Sequence, residues 1–257
     1  MSGNKRQAMV IQPRDEQLLR EIAVMRIIDR EHAKAVAGFG STRRVNARLL
    51  ALYREGLLRR FFQGTKAGGQ KALYALSSKG ARLIGAAHRE FRYANDELLA
   101  TNFFVAHQLA VNRIYCSVKA GCVLQPNVRF IRWVAFSEPV TPPLVPDGYF
   151  EVFVSEQVLG AFVEVDLGHE GPLVWKTKVQ NYLRYAASGR FEEQFHVSRF
   201  RVLIVANTEK RMQEIRGVVR RFTDKIFWLS SFQSIDRDGF WPSVWLRPAD
   251  DARKALL

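Results

Sequence analysis

The sequence predicts an α+β protein in two parts, and three observations carry that reading. Apolar residues at helical spacing fill the N-terminal third. Strand-length apolar runs alternate with amphipathic helices further on. Five polar residues, Asp147, Glu164, Asp166, Lys178 and Tyr182, fall in order at the ends of those later elements. At 257 residues with 47% hydrophobic and 12% aromatic content, the chain is long enough for two cores.

In the first part, Leu18, Leu19, Ile22 and Met25 recur at helical spacing. Pro13 and Asp15 suit a helix start, so a helix is expected from Pro13 to Met25. A second, Asp29 to Ala37, stops at Gly38-Phe39-Gly40. Ser41 and Thr42 offer N-caps for a third helix, with Val45, Leu49, Leu52 and Tyr53 inward and Arg43, Arg44, Asn46 and Arg48 outward. Leu57 to Phe62 and Lys71 to Leu76 form two strands around a glycine-rich tip carrying Lys66, and Ser77 or Ser78 caps a helix beyond them. Three helices and a basic hairpin predict a winged helix-turn-helix over residues 1–94. Its expected DNA contacts are Ser41, Thr42, Arg43, Arg44, Asn46, Arg48, Lys66 and Lys71, since cations and amides near a helix start reach phosphates and base edges in a major groove.

Charge agrees with that assignment. The net charge is +14, which implies a polyanionic partner, and residues 1–95 hold 19 Lys+Arg against 7 Asp+Glu while residues 96–257 hold 20 against 18. Holding nucleic acid is therefore expected of the first part and acting on it of the second.

The second part, residues 95–257, opens with a long helix from Asn95 to Val118. His107 shares its apolar face with Phe103, Phe104 and Val111 and is read as a hydrogen-bonded core or interface histidine. Strands are expected at Val123 to Phe136, Gly148 to Val154 and Val158 to Leu167, the last two joined by the hairpin-length Ser155-Glu156-Gln157. A helix from Pro172 to Ala187, an apolar strand from Arg199 to Ala206, an amphipathic helix from Thr208 to Phe222 and a strand from Lys225 to Phe232 follow. Helix, three antiparallel strands, helix and strand are the minimal core of a restriction-endonuclease-like (PD-(D/E)XK) domain.

The chemistry rests on side-chain direction. Glu164 and Asp166, two apart in a strand, point to one face while Val163, Val165 and Leu167 fill the other. Two carboxylates at the end of a hydrophobic strand are costly unless a cation sits there, and Asp147, after Pro146 on the neighbouring strand, supplies a third oxygen donor. Asp147, Glu164 and Asp166 are thus the expected ligands of Mg²⁺ or Mn²⁺, for phosphodiester hydrolysis. Lys178 and Tyr182 share a helical face and complete the catalytic set, Lys178 toward the water and the developing charge, with Lys176 and Arg184 as weaker candidates for the cation.

Four segments carry a resemblance: Tyr74-Ala75-Leu76-Ser77-Ser78-Lys79-Gly80, His107-Gln108-Leu109-Ala110-Val111-Asn112, Pro146-Asp147-Gly148, and Glu164-Val165-Asp166 followed by Lys178-x-x-x-Tyr182. In their order and spacing the chain resembles, from Arg14 to Val205, the replication-relaxation family of mobile-element proteins. That family is similar in turn to plasmid mobilisation relaxases on a restriction-endonuclease-like core. The resemblance implies a winged-helix DNA reader with a nuclease-like domain, acting in replication or transfer of a mobile element. One position departs: the nuclease motif ends Asp/Glu-x-Lys, and here the lysine's place is Asp166. Either a lysine of the next helix reaches back, with Asp166 as ligand or orienter, or the fold persists without catalysis.

The expected function is therefore a metal-dependent DNA nickase, with a non-catalytic DNA-binding regulator as the alternative. DNA is the expected partner, with other replication or transfer proteins and a dimer left open. Cys116 and Cys122 lack zinc-ligand spacing and read as reduced thiols. No apolar run nears the ~20 residues of a membrane span and the N-terminus lacks a secretory core, so a cytoplasmic location without membrane contact is expected.

Overall fold

The computed structural model describes residues 9–64, 68–87 and 103–257. The chain divides into two compact units, 1–112 and 113–257. The boundary expected at residue 94 lies outside the described residues, as does Lys66.

The first unit holds α1 (Pro13–Met25), β1 (Ile27–Ile28), α2 (Arg30–Ala37), α3 (Thr42–Arg54), β2 (Leu58–Gly64), β3 (Gln70–Leu76) and α4 (Ser78–Leu83), in the order read from the sequence except for the short β1, which was not read there. Caps set the helix starts. Asp29 accepts from the Glu31 and His32 amides at 2.8 and 3.0 Å, Ser41 from the Arg44 amide at 3.3 Å and Ser77 from the Gly80 amide at 3.0 Å. The three strands form an antiparallel sheet in the order β1-β3-β2. Leu18, Leu19, Ile22, Val45, Leu49 and Leu52 are fully buried, whereas Tyr53, expected inward, is 42% exposed: Leu49 and Leu52 already fill the inward stripe.

The helix α5 (Phe103–Leu124) runs into the second unit. The sequence reading assigns this helix to the second part, but its first turns belong to the first unit, where Val105 and Leu109 pack on Ile27, Phe61, Leu73 and Ala75 of the small sheet. Asn112 explains the polar end of the His107 to Asn112 segment. It is 2% exposed, its amide donates to the Met25 and Ile27 carbonyls at 3.0 and 2.6 Å, and Gln108 orients it by donating to its oxygen at 3.0 Å. His107 lies 6.0 Å from the Phe103 ring and is half-buried.

The second unit is built on a seven-stranded mixed sheet, ordered β10-β9-β8-β7-β6-β5-β4. Its strands are β4 (Val128–Val134), β5 (Gly148–Val154), β6 (Gln157–Asp166), β7 (Phe200–Ala206), β8 (Phe227–Ser231), β9 (Trp245–Arg247) and β10 (Asp250–Lys254). The helices between them are α6 (Pro172–Ala187), α7 (Arg190–Phe195), α8 (Glu209–Val219) and α9 (Phe232–Asp238). β4, β5 and β6 are antiparallel, while β6, β7 and β8 run parallel with α6 and α8 as crossovers. A strand was expected from Val123, but the stripe of Tyr115, Val118 and Cys122 keeps α5 helical to Leu124, where Gln125-Pro126 ends it and leaves Val123 and Leu124 exposed.

One face of this sheet carries Tyr149, Phe162, Val202, Ile204 and Leu229 against Trp175, Val179 and Tyr182 of α6 and Met212, Ile215 and Val219 of α8. On the other, Phe150 packs against Trp133, Phe240 and Trp241. Among the described residues no helix is long and apolar enough to cross a membrane.

Replacing Asn112 with Ala removes the side-chain donor of two backbone carbonyls, at about 0.5–1.5 kcal/mol for each hydrogen bond lost. Urea unfolding of Asn112→Ala is expected to show a loss in that range, with Gln108→Ala losing less because water can take its place.

Candidate functional site

Strand alternation puts Phe162, Glu164 and Asp166 on the α6/α8 face and Val163 and Val165 on the other. The Pro146-Asp147-Gly148 turn brings Asp147 beside the end of β6: its Oδ2 accepts from the Val165 amide at 2.7 Å. Gly148 is required next to it, because a Cβ there would lie 2.4 Å from the Trp133 ring.

Glu164 is 1% exposed and is the hub of the cluster. Lys178 donates to its Oε2 at 2.8 Å and Tyr182 to its Oε1 at 2.6 Å, the pair standing one helical turn apart on α6. Lys178 also pairs with Glu170 at 2.8 Å, while the second Glu170 oxygen is buried without a hydrogen-bond partner. Lys176 is exposed and Arg184 bonds Asn181, so Lys178 is the lysine that reaches the carboxylates.

Electrostatics follow from burial. Desolvation lifts the Glu164 carboxyl to about 7, Lys178 pulling it down and the charge of Asp147 pushing it up. Burial disfavours the charged form of Lys178, but Glu164, Asp147 and Glu170 outweigh it and hold the ammonium above the ordinary lysine range. Tyr182, fully buried beside Glu164, is raised well above a free phenol and stays neutral.

Asp166 is engaged elsewhere. Its oxygens accept from Arg211 Nε and a terminal nitrogen, both at 2.9 Å, from the Trp175 indole at 2.8 Å and from the Gly168 amide at 2.7 Å. Burial raises its pKa, but the bonds from Arg211 and Trp175 prevail and hold it below the usual carboxylate range. The structure thus gathers Asp147, Glu164, Lys178 and Tyr182 and binds Asp166 to α8. Among the described residues, no three His, Cys, Asp or Glu side chains are grouped as metal ligands. Arg211, Trp175 and Glu170 were not singled out from the sequence, where nothing local marks an arginine one helix away as the partner of Asp166.

In the first unit, Arg43, Arg44 and Asn46 are exposed on the opening turns of α3, and Ser41 and Thr42 are half-buried at its cap. Arg48 and Lys71 have acidic partners instead. Arg48 Nε donates at 2.6 Å to Asp15, which is 1% exposed, and Lys71 pairs with Asp29. A cleft of about 710 Å³ lies between α3 and the hairpin, lined by Arg30, Asn46, Arg60, Lys71 and the glycine tip.

These features define an α+β protein with an exposed basic helix in one unit and a buried carboxylate–lysine cluster at a strand end in the other. The chain belongs to the replication-relaxation family, whose model matches residues 18–197. The structure of the restriction endonuclease FokI is similar over 85% of this chain at 11% identity, with a TM-score of 0.28, a likeness too slight to bear on function. This chain spans 41% of that one. No curated protein matches the sequence.

Two outcomes are expected from this geometry. Arg211→Ala leaves Asp166 buried without its cation, so urea unfolding should show a loss of about 3 kcal/mol, the scale for breaking a buried pair. Glu164 acts through pH: with its carboxyl lifted from 4.5 to about 7, the folded chain keeps a proton over that window that the unfolded chain has lost. Its contribution to stability is full below pH 4.5 and is lost as pH rises through about 7. Glu164→Gln stays neutral, so the urea midpoint of the variant should gain on the parent across that window, and parallel profiles would refute the assignment.

Proposed function

We propose that this protein binds duplex DNA through its N-terminal unit, a winged helix-turn-helix, and nicks DNA with a restriction-endonuclease-like site in its C-terminal unit, serving replication or mobilisation of a mobile element. The observation that carries the reading is the convergence of Asp147, Glu164 and Lys178 at the end of β6, with the lysine supplied by α6 in place of the motif lysine. Family membership supplies the replication context.

A divalent ion would be held by Asp147 and Glu164, since Mg²⁺ takes one or two carboxylates with water and substrate phosphate completing its shell, although the described residues group no third acidic ligand with them. When bound there, Mg²⁺ or Mn²⁺ would polarise the phosphoryl oxygen and lower the pKa of a water. The cost of the buried Glu164 charge, offset in the structure by the cation of Lys178 and the hydroxyl of Tyr182, is the feature such an ion would relieve.

The chain's own groups define their roles. Lys178, held cationic by three carboxylates, acts through its charge on the phosphate rather than as a base. Tyr182, buried and neutral, orients Glu164 and is not placed to attack phosphorus, so cleavage leaves a hydrolytic nick instead of a protein–DNA adduct. Asp166, locked to Arg211, positions the end of β6 and the Gly168 turn.

On the DNA-binding side, the capped start of α3 presents Arg43, Arg44 and Asn46, and the hairpin flanks the same cleft. Arg48 and Lys71, neutralised by Asp15 and Asp29, add less than their charge suggests.

Nicking of supercoiled plasmid from the element's own DNA, with Mg²⁺ or Mn²⁺ and with chelator, tests the reading. The parent should nick only with metal. Glu164→Gln and Asp147→Asn should abolish nicking with DNA affinity kept, whereas Arg43→Ala/Arg44→Ala should weaken binding and flatten its log–log salt dependence by about two units. A parent that binds DNA but leaves plasmid intact with either ion assigns a non-catalytic regulator instead.

A further inference from the structure

At the opposite end and on the opposite face of the large sheet lies a second polar cluster, separate from the Glu164 site. Arg201 on β7, Trp228 on β8 and Arg247 on β9 lie on three adjacent strands, with Arg201 diagonal to Trp228. Leu203 pairs with Trp228, and Arg247 follows Leu246, which belongs to the α6/α8 core, so alternation turns all three side chains away from that core. The two guanidinium carbons stand 4.8 and 5.5 Å from the Trp228 ring centre. Six residues of β6 separate Val158, beside this cluster, from Glu164, about 20 Å at the ~3.3 Å rise of a strand.

The cluster carries more positive than negative charge. It borders a cavity of about 530 Å³ lined by Arg199, Arg201 and Arg247 with Ser155, Gln157 and Ser198, and no acidic residue lines it. Arg201 donates to the Leu256 carbonyl and Arg247 to the Asp224 carbonyl at 2.6 Å, backbone partners that bring no full charge. Arg247 Nε is buried with no hydrogen-bond partner. The nearest acid, Asp250, stands opposite Arg247 in register and attracts it through space, but its side chain is paired with Lys254. Burial, with Arg247 beside it, depresses the pKa of Arg201, the mark of a cation short of an anion.

We infer that this Arg-Trp-Arg cluster, with Arg199, is a phosphate-binding site of the C-terminal unit, taking the phosphate of a nucleotide or of a single nucleic-acid strand. Planar guanidinium forks match phosphate oxygens two at a time, and Trp228 holds both forks in place from beneath. The serine and glutamine side chains add uncharged donors, and the cavity has room for a nucleotide unit, larger than a bare carboxylate requires. This site is independent of the proposed cleavage chemistry.

Calorimetric titration of the full chain with pyrophosphate, and fluorescence-anisotropy titration with a short oligothymidylate, test it. The parent should bind both, and Arg201→Gln/Arg247→Gln should weaken each about tenfold or more. The salt slope for the strand should fall by about 1.4, at ~0.7 for each phosphate no longer neutralised. Arg199→Glu, at an exposed position that folding does not depend on, should show the same direction through repulsion. Losses in both titrations assign the strand, and losses with pyrophosphate alone assign a free nucleotide. The inference is overturned if the parent does not bind pyrophosphate, or if Arg199→Glu and the folded double variant bind both probes like the parent.

Discussion

The constraint on which the C-terminal unit turns is the desolvation of Glu164. A carboxylate nearly sealed in a core is costly, and the neighbouring structure is arranged to offset that cost. The helix α6 must begin where it does so that Lys178 and Tyr182 stand one turn apart over the end of β6. The Asp147 turn must close against the Val165 amide, and Gly148 must be a glycine for that turn to pass the Trp133 ring. A structural ion pair alone would need none of the further carboxylates. Asp147 and Glu170 crowd the same lysine and hold it cationic.

Asp166 shows how two carboxylates on one strand face acquire different tasks. It is two residues from Glu164, yet it falls under α8 as well as α6, and α8 supplies Arg211 while α6 supplies Trp175. Four donors satisfy it, and they depress its pKa where that of Glu164 is raised. Environment rather than residue type separates the two.

The N-terminal unit sorts its charges in a similar way. Asp15 and Asp29 are buried at the starts of α1 and α2, and each draws a nearby cation, Arg48 or Lys71, into an ion pair. What remains exposed at the start of α3 is Arg43, Arg44 and Asn46. The net positive charge of the first 95 residues therefore overstates the number of cations available to a ligand. At the far end of the large sheet the bias is reversed: Arg201 and Arg247 donate to backbone carbonyls, and among the described residues neither is held in an ion pair.

The sequence by itself determined the elements whose signals are local. α1 and α6 begin at a proline and run along an apolar stripe, so Pro13–Met25 and Pro172–Ala187 were legible to the residue, as were the capped starts of α2 and α3. β5, β6 and β7 were legible because alternating or wholly apolar runs end at turn residues, and the spacing of Lys178 and Tyr182 followed from helical geometry. The short α7, α9, β9 and β10 were not, since such segments bury too little side chain to leave a periodic pattern. Partnership was decided only by tertiary structure. That Asp166 belongs to Arg211, 45 residues on, that Arg48 serves Asp15 and not solvent, and that Arg201, Trp228 and Arg247 form one cluster depend on which strands and helices become neighbours. Long-range electrostatic pairing leaves no local periodicity in a chain, so it becomes visible only when the sheet order is known.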